Sequence, residues 1–422
     1  MRIVHVANAY TPRSGGIRTT VHALGHGYRA AGHELVLVVP GPKPSDEVLS
    51  WGRRIVLPGP AVPGSGGYRL LTDVAQVRAV LDVLEPDRLE VSDRVTMRRL
   101  GEWARCAGVP SLVIVHERLD LVLGAFTPLS AVTRRRWADW HNSTTARYFD
   151  RVVTTTRYAS REFERIGVPT EHVPLGVDLE RFTPREAGAT QARDRPWLPR
   201  GEVGPLLVLS SRLSREKRPD LAVDTLRVLH RRGVLARLVV AGAGPLTRSL
   251  RRHADGLPLQ LLGHVGERAV LADLLGSADV VLAPGPVETF GLAALEALAC
   301  GTPVVASCTS ALAEIVVDGA GRTAKPDPDA LAEAVVTVLG IPEEQRRGAA
   351  RRRAEAFPWS RTTSTLLALH GLSQAARTLS PGSEDVRGGG PGPSRTRPAR
   401  ELGAGAHAPP RHPLPGAVLG ER

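Results

Sequence analysis

Two successive series of short apolar runs, each alternating with helical stretches, constrain this chain more than any other feature. In the first series the apolar runs lie at 3–7, 35–39, 88–91, 112–115 and 152–155, and the helical stretches lie at 17–31, 74–84, 97–107 and 134–149. Such alternation is typical of βαβ units, in which parallel strands form a sheet that helices cover. The first series therefore predicts an α/β domain with a parallel sheet.

A second series begins at residue 206, after the alternation breaks. Its apolar runs lie at 206–209, 238–241, 259–262, 280–283 and 304–306, with a marked helical stretch at 219–232. The intervening segment is polar and rich in proline, which is typical of a linker. A chain of 422 residues also suits two domains of about 170–200 residues better than one. We expect domains at 1–180 and 204–357, joined by a linker at 181–203.

The end of the chain has a different composition. Residues 358–376 have the pattern of a closing helix. From residue 381 onward the sequence is rich in Gly and Pro and has no aromatic residue, so it cannot bury a core. We expect residues 381–422 to be a disordered tail.

Composition restricts the location and the cofactors. Cys106, Cys300 and Cys308 show no paired spacing, which argues against a disulfide framework or a zinc site and for a reducing compartment. The apolar run at the N-terminus is too short for a signal peptide, and no run approaches the length of a spanning helix. We therefore expect a cytoplasmic protein, either free or peripheral at the inner face of the plasma membrane.

The net charge of +12 is carried almost entirely by arginine. No aromatic-rich basic motif of a nucleic-acid-binding module is present, so nucleic acid is not expected as a partner. The cluster Arg134-Arg-Arg-Trp-Ala-Asp-Trp140 combines cations with two tryptophans on one helical stretch. Either this is a solvated basic face whose tryptophans pack inward, or it binds an anionic membrane surface.

The stretch Glu288-Thr-Phe-Gly-Leu-Ala-Ala-Leu-Glu296 lies between an apolar run and a helical stretch. The chain must turn at Gly291 and begin a helix, so the N–H groups from Phe290 to Ala293 lack intrahelical partners. Such a helix start favours an anion, for example a diphosphate. Carboxylates on either side of it suit sugar hydroxyls. These groups together predict a nucleotide-sugar site.

This glutamate pair, followed by Cys300-Gly-Thr-Pro-Val-Val-Ala306, resembles the donor-site signature of the retaining family-4 glycosyltransferases. The resemblance covers about residues 1–376. It implies the GT-B fold, in which two Rossmann-like domains face each other across a cleft and a C-terminal helix crosses back to the first. The first domain would bind the acceptor and the second would bind the nucleotide sugar.

The resemblance also implies catalytic roles for His116, Arg212, Lys217 and Glu288. Arg212 and Lys217 follow the first strand of the second domain, at the carboxyl edge where α/β sheets bind ligands. Their charges can neutralise a diphosphate leaving group, which is the role of an Arg and a Lys at this spacing in the family. The family usually has Gly in place of Ser211. His116 ends an apolar run, where the family has a histidine that touches the transferred sugar.

Other residues are assigned to the donor site. Gly15 and Gly16 begin a helix after the first strand, where glycine permits positive φ and close approach of a ligand. In the family this loop contacts the donor diphosphate, the turn at Gly242 lines the donor pocket, and His264-Val265 packs the nucleotide base. The expected donor-binding residues are Gly15, Gly16, Arg212, Lys217, Gly242, His264, Val265, Glu288, Phe290, Gly291, Leu292 and Glu296.

No metal site and no cofactor are expected, because the nucleotide-diphosphate sugar is a substrate. Asp327-Pro-Asp329 is better interpreted as the N-cap of a helix than as a metal ligand pair. Glu117 and Asp120 are both candidate partners of His116, and the sequence does not rank them.

The first domain is most similar to bacterial GDP-mannose-dependent α-mannosyltransferases, on the segments that begin at Gly15, Leu89 and His116. This implies a retaining hexosyltransferase that moves mannose from GDP-mannose to a lipid-type or small glycoside acceptor. Three alternatives stay open. These are a UDP-sugar-dependent transferase with a small-molecule acceptor, a nucleotide-sugar-binding protein that does not transfer, and a nucleotide-sugar 2-epimerase on the same fold.

Overall fold

The computed structural model describes residues 1–11, 15–62, 67–185 and 204–372. Most of the predicted linker, the end of the predicted closing helix and the whole predicted tail lie outside these ranges. Met1–Gln374 forms one compact unit that contains two sheets, and the domain boundaries within it stay a prediction. Within the described ranges, no helix has both the length and the apolar character needed to cross a membrane.

The first sheet has eight strands. They are β1 (Arg2–Val6), β2 (Glu34–Gly41), β3 (Ser45–Leu49), β4 (Gly52–Pro58), β5 (Arg88–Val91), β6 (Ser111–Val115), β7 (Arg151–Thr154) and β8 (Glu171–His172). Their order is β3-β4-β2-β1-β5-β6-β7-β8, and every pair is parallel except the hairpin β3–β4. All five predicted strands are confirmed. The hairpin was not predicted, because its edge strand β3 is polar and largely exposed.

Six helices accompany this sheet. They are α1 (Gly16–Ala30), α2 (Val74–Leu84), α3 (Leu100–Cys106), α4 (Leu119–Phe126), α5 (Ala131–Tyr148) and α6 (Arg157–Glu164). The four predicted helices are confirmed as α1, α2, α3 and α5. The short helices α4 and α6 were missed, because neither is long enough to repeat an apolar pattern over several turns.

The second sheet is entirely parallel. Its strands are β9 (Leu206–Ser210), β10 (Arg237–Ala241), β11 (Leu259–Gly263), β12 (Val280–Ala283), β13 (Val304–Ser307) and β14 (Gly321–Ala324), in the order β11-β10-β9-β12-β13-β14. This is the doubly wound arrangement, in which the strand order reverses between the first and fourth strands. The reversal therefore lies between β9 and β12.

Eight helices follow along the second half of the described chain. They are α7 (Pro219–Arg231), α8 (Thr247–His253), α9 (Arg268–Ser277), α10 (Leu292–Ala299), α11 (Leu312–Ile315), α12 (Pro328–Leu339), α13 (Glu343–Glu355) and α14 (Trp359–Leu369). The Asp327 side chain accepts hydrogen bonds from the N–H groups of Asp329 and Ala330 at the start of α12. The prediction that Asp327 is an N-cap is confirmed.

The crossing helix is also confirmed. Leu366 and Leu367 of α14 belong to the same buried cluster as Val21 and Leu24 of α1, on one face of the first sheet. The two helices approach closely at Gly27, where an added Cβ would lie 2.4 Å from Thr363 Oγ1. Glycine is therefore required at this crossing, and α14 returns the chain to the first sheet.

Candidate active site

The loops after β9 and β12 meet where the strand order of the second sheet reverses. At such a point the two loops diverge, and the crevice between them is the usual ligand site of an open α/β sheet. The loop after β9 carries Arg212 and Lys217, and the loop after β12 carries Glu288. Three of the predicted catalytic residues thus come from the two loops that bound this crevice.

Lys217 and Glu288 form an ion pair across the crevice. Burial alone would raise the pKa of Glu288, but the charge of Lys217 and the N–H groups of Thr289 and Phe290 outweigh it and hold the pKa below its ordinary value. The two loops pack closely at Gly285, where an added Cβ would lie 3.2 Å from the Lys217 Cα and carbonyl oxygen. Glu288 is therefore ionised at neutral pH.

Helix α10 begins in the same loop. Gly291 has φ +87°, and an added Cβ there would lie 2.4 Å from Leu312 Cδ2, so the predicted sharp turn depends on glycine. In the described chain no side chain caps this helix start. The N–H groups of Leu292 and Ala293 precede the first intrahelical hydrogen bonds and remain free to bind an anion.

Arg212 contacts an element of the first half of the chain. Its guanidinium lies 5.0 Å from the centre of the Tyr68 ring, a cation–π distance. Arg212 itself is exposed. The crevice is thus bounded on one side by a residue from the segment that follows β4.

The end of β6 meets the donor-side loop at His116. The Thr289 hydroxyl donates a hydrogen bond to the His116 main-chain carbonyl, and the Thr156 hydroxyl donates to the Thr289 carbonyl at 3.0 Å. Close by, the Glu314 carboxylate accepts from the N–H groups of Arg157 and Tyr158 at the start of α6. These contacts place His116 beside the residue that follows Glu288.

Neither predicted partner of His116 contacts its ring. Glu117 pairs with Arg94, and Asp120 pairs with Arg118. Instead, His116 Nε2 lies 2.9 Å from the hydroxyl of Ser92, which follows β5. Burial, together with the nearby His5 and Arg94, lowers the pKa of His116 to about 3, so the ring is neutral at physiological pH.

Glu296 lies further along α10 and is almost fully buried. Arg268, the first residue of α9, pairs with it at 2.9 Å and also lies 4.7 Å from the centre of the Phe182 ring. Burial raises the pKa of Glu296 despite this partner. No sequence pattern identifies Arg268 as a partner of Glu296, because the contact joins two helices that only the fold brings together.

The loops after β10 and β11 lie at the same edge of the second sheet. The N–H of Gly242 donates to the Gly263 carbonyl at 2.7 Å, and an added Cβ at Gly242 would lie 1.8 Å from the Ser211 carbonyl oxygen. After Gly263, His264 is exposed and Val265 packs against the core. Gly242 therefore lies against the Arg212 loop, and His264 and Val265 directly follow the residue that Gly242 bonds.

Gly15 and Gly16 do not have the backbone geometry that motivated their assignment. Gly15 has φ −81°, and Gly16 has no positive φ either, so neither glycine is needed for its conformation. No atom of the described residues lies within 4 Å of a Cβ added at either position. The role of Gly15 and Gly16 in donor binding stays a prediction.

Comparison with known proteins identifies the family. Residues 15–177 match the model of the glycosyl transferase 4-like domain, and residues 204–340 match that of glycosyl transferases group 1. The chain is 50% identical over 373 residues to the GDP-mannose-dependent alpha-(1-6)-phosphatidylinositol dimannoside mannosyltransferase of Mycobacterium tuberculosis, covering 88% of this chain and 96% of the relative. It is 33% identical over 246 residues to the D-inositol 3-phosphate glycosyltransferase of Xylanimonas cellulosilytica, covering 54% and 58%.

The fold has close counterparts among solved structures. Sucrose-phosphate synthase from Thermosynechococcus elongatus superimposes with a TM-score of 0.72 at 22% identity, over 88% of this chain and 98% of the other. Likeness at this level of identity supports the GT-B architecture alone, whereas the family matches and the relative that is 50% identical support membership. The chain belongs to the family-4 glycosyltransferases with the GT-B fold, and it is a hexosyltransferase.

Proposed function

We propose that this enzyme transfers mannose from GDP-mannose to a phosphatidylinositol mannoside, with retention of the anomeric configuration. The observation that carries the proposal is the 50% identity, over nearly the whole length of both chains, to a mannosyltransferase named for that donor and lipid. The ion pair Lys217–Glu288 and the open start of α10 at one crevice support a nucleotide-sugar donor.

The donor diphosphate binds between the loops after β9 and β12. Lys217 and Arg212 supply positive charge, and the free N–H groups at Leu292 and Ala293 add donors at the positive end of a helix. Charge grows on the diphosphate as it leaves, so these groups stabilise the transition state more than the ground state. The leaving phosphate itself removes the acceptor proton on the same face of the sugar.

The hexose lies between Glu288 and His116. Glu288 is ionised and therefore accepts hydrogen bonds from sugar hydroxyls. His116 contacts the same sugar from the other side, and Glu296 holds the ribose of the nucleotide. The contact between Thr289 and the His116 carbonyl keeps the two sides together and limits access of water.

The reaction as proposed requires neither a metal nor another cofactor. Two cationic side chains and a helix start supply the positive charge that a divalent ion would supply at a diphosphate. The carboxylates nearest the crevice have other partners, since Glu288 pairs with Lys217 and Glu296 pairs with Arg268. Asp329 pairs with Arg232, the residue that follows α7.

A lipid acceptor requires the enzyme to reach a membrane. Helix α5 exposes Val132, Arg136 and Trp140, which follow one another at intervals of four residues and therefore share one face. Trp140 is 56% exposed and Trp137 is 40% exposed, so neither ring is buried in the core. We infer that this face binds anionic lipid, and that the enzyme acts in the cytoplasm at the inner face of the plasma membrane.

A second candidate function is transfer to a small soluble acceptor. It is favoured by the similarity to a D-inositol 3-phosphate glycosyltransferase, although the chain spans little more than half the length of that relative.

A protein that binds a nucleotide sugar without transferring it would not need His116, Arg212, Lys217 and Glu288 together. The transferase proposal is therefore preferred.

The test is a matrix of donors and acceptors read by mass spectrometry. The donors are GDP-mannose, UDP-glucose and UDP-N-acetylglucosamine, and the acceptors are phosphatidylinositol mannosides in vesicles and inositol 3-phosphate in solution. We expect a single added hexose on the lipid with GDP-mannose alone. Transfer from a UDP-sugar to inositol 3-phosphate would establish the second candidate, and consumption of donor without a glycosylated product would contradict both.

A further inference from the structure

A continuous series of hydrogen bonds runs from the His116 ring to buried residues of β1 and β5 in the first sheet. His116 Nε2 lies 2.9 Å from Ser92 Oγ, and Ser92 Oγ lies 2.8 Å from His5 Nε2. His5 Nδ1 in turn lies 2.7 Å from a carboxylate oxygen of Glu90. His5 and Glu90 are completely buried, so the series ends far from solvent.

The inner end of the series can only accept hydrogen bonds. Burial alone would raise the pKa of Glu90, but its contacts with His370 and His5 hold the pKa far below its ordinary range, and the carboxyl group is ionised. Its other oxygen receives the Tyr28 hydroxyl at 2.6 Å and His370 Nε2 at 2.9 Å. A carboxylate has no proton to give, so His5, Tyr28 and His370 must all donate to it.

With a single proton on His5, the Glu90 carboxylate sets the direction of every bond up to the site. Because His5 Nδ1–H donates to Glu90, the Nε2 of a His5 ring with a single proton is an acceptor, and the Ser92 hydroxyl donates to it. The Ser92 oxygen is then left to accept from His116 Nε2–H. A second proton on His5 would reverse the two outer bonds, because Ser92 would then accept from His5 Nε2–H and donate to His116 Nε2.

We propose that Ser92, His5 and Glu90 are positioning residues that hold His116 as the Nε2–H tautomer, so that His116 Nδ1 faces the donor site as a hydrogen-bond acceptor. Among the described residues Nδ1 has no hydrogen-bond partner, and it is not one of the unpartnered atoms sealed from solvent. An unprotonated ring nitrogen accepts from a hydroxyl and repels the oxygens of a phosphate. It therefore selects a hexose hydroxyl, an assignment that rests on the proposed function.

The same series of hydrogen bonds connects the crossing helix α14 to the site. His370 caps the end of α14, and its Nε2 shares a Glu90 oxygen with Tyr28. Residues from β1, α1, β5 and the end of α14 thus fix one ring at the end of β6. Glu90 and Ser92 lie two residues apart on one segment, whereas His5, Tyr28 and His370 come from other parts of the chain.

The first test is nitrogen NMR of histidine-labelled enzyme without substrate. The ¹⁵N shifts of the two imidazole nitrogens distinguish a protonated from an unprotonated atom, and His116→Gln identifies the His116 signals. At neutral pH we expect Nε2 protonated and Nδ1 unprotonated in the wild-type protein. A protonated Nδ1 would refute the inference whatever the enzyme transfers, so this arm fails independently of the proposed function.

The second test uses Ser92→Ala and Ser92→Thr. Ser92→Ala removes the bridging hydroxyl, so we expect both His116 signals to move toward tautomer exchange and kcat/KM for the donor to fall by about tenfold, the loss of one orienting hydrogen bond. Ser92→Thr keeps the hydroxyl and should restore both properties. Unchanged His116 signals in Ser92→Ala, or equal losses in Ser92→Thr, would show that the side chain acts only by packing.

The matched control is Ser111→Ala. Ser111 is a buried serine at the opposite end of β6 from His116. Its hydroxyl donates a hydrogen bond to Asp150 and contacts none of His116, Ser92, His5 and Glu90. It should lower stability without moving the His116 signals or the turnover number. A shift of those signals in Ser111→Ala as large as that in Ser92→Ala would mean that they report strand packing, which would overturn the assignment.

Discussion

Lys217 and Glu288 are 71 residues apart in the sequence and form an ion pair at the point where the strand order of the second sheet reverses. The lysine is the cation expected to face the donor diphosphate, and the glutamate is the carboxylate expected to face the sugar. Because the charge of Lys217 helps to hold Glu288 ionised, a change at Lys217 alters the electrostatics of both halves of the donor site.

Replacing Lys217 with alanine should therefore change both the rate and its pH dependence. Loss of one charge contact to the leaving group should cost about 2–4 kcal/mol in transition-state stabilisation. Lys217 holds the pKa of Glu288 down against burial, so its removal raises that pKa and moves the acid limb of kcat/KM to higher pH. Lys43→Ala, at an exposed site beside β2, is the control. An unshifted acid limb in Lys217→Ala would separate the two residues functionally.

Arg212→Ala should slow transfer by a similar amount, about 2–4 kcal/mol, without unfolding the protein, because the side chain is exposed. The same loop offers a matched control in Arg215, which is also an exposed arginine. Steady-state kinetics with the donor varied should show a large loss for Arg212→Ala and almost none for Arg215→Ala. Equal losses in both variants would indicate a general effect of charge on the loop.

The strands and the main site loops were predictable because they follow local rules. A buried parallel strand is a continuous apolar run, and a ligand-binding loop follows its carboxyl end. These two rules located Arg212, Lys217 and Glu288 from the sequence. The edge hairpin β3–β4 and the short helices α4 and α6 follow no such rule, since their stability depends on the rest of the sheet.

Enzyme activity should not depend on a divalent metal. Within the described residues, no group of three or more His, Cys, Asp or Glu side chains is arranged to hold a metal ion, and the acidic residues of the crevice have cationic partners. Dialysis against EDTA should leave the turnover number unchanged, and added Mg²⁺ or Mn²⁺ should not raise it. Activity that is lost on dialysis and restored by one of these ions would reverse the proposal.

Acid should destabilise the fold through His141, which is buried in α5. Its Nε2 donates to the Arg94 carbonyl, and its Nδ1 accepts from an Arg98 nitrogen. A charged ring has a proton on Nδ1 and would lose the hydrogen bond with Arg98. Burial lowers the pKa of His141 from 6.5 to about 4. The unfolded chain therefore binds more protons than the folded protein below pH 6.5. The free energy of unfolding should decrease by about 2 kcal/mol as the pH is lowered from 7 to 5.

The measurement is urea unfolding of wild type and His141→Gln at the two pH values. The variant is expected to be less stable at pH 7, but its free energy of unfolding should fall less on going to pH 5. Only the difference between the two pH values bears on the prediction. Equal falls in the two proteins would show that other groups cause the acid sensitivity.

The partners of His116 show where prediction from sequence ends. Glu117 and Asp120, which lie close to His116 in the sequence, were the predicted candidates. Both form ion pairs with arginines instead. The actual partner, Ser92, belongs to the neighbouring strand β5, whose end lies beside the end of β6 in the sheet. Strand order determines this neighbour, and a single sequence does not contain strand order as a local pattern.

Binding to anionic vesicles should depend on the exposed face of α5. Arg135 and Arg136 are exposed, whereas Arg134 packs against Gly124 of α4 and contributes less. Each exposed cation should contribute on the order of 1 kcal/mol near an anionic bilayer. Two cations alone bind only marginally, so Trp140 must insert into the interface as an apolar anchor if this face is the docking surface. We expect weak binding that fades as salt rises.

The test is co-sedimentation with vesicles that contain phosphatidylinositol, at low and at physiological salt. Arg135→Gln with Arg136→Gln should lower the bound fraction several-fold at low salt, and Trp140→Ala should lower it at both salt concentrations, because an apolar anchor is not screened. The control is Arg251→Gln with Arg252→Gln, which removes two exposed cations from α8 beside the second sheet and leaves α5 unchanged. Equal losses in the two double variants would mean that the net charge of +12 drives the binding. Full binding by all the variants would remove α5 from the membrane contact and favour a soluble acceptor.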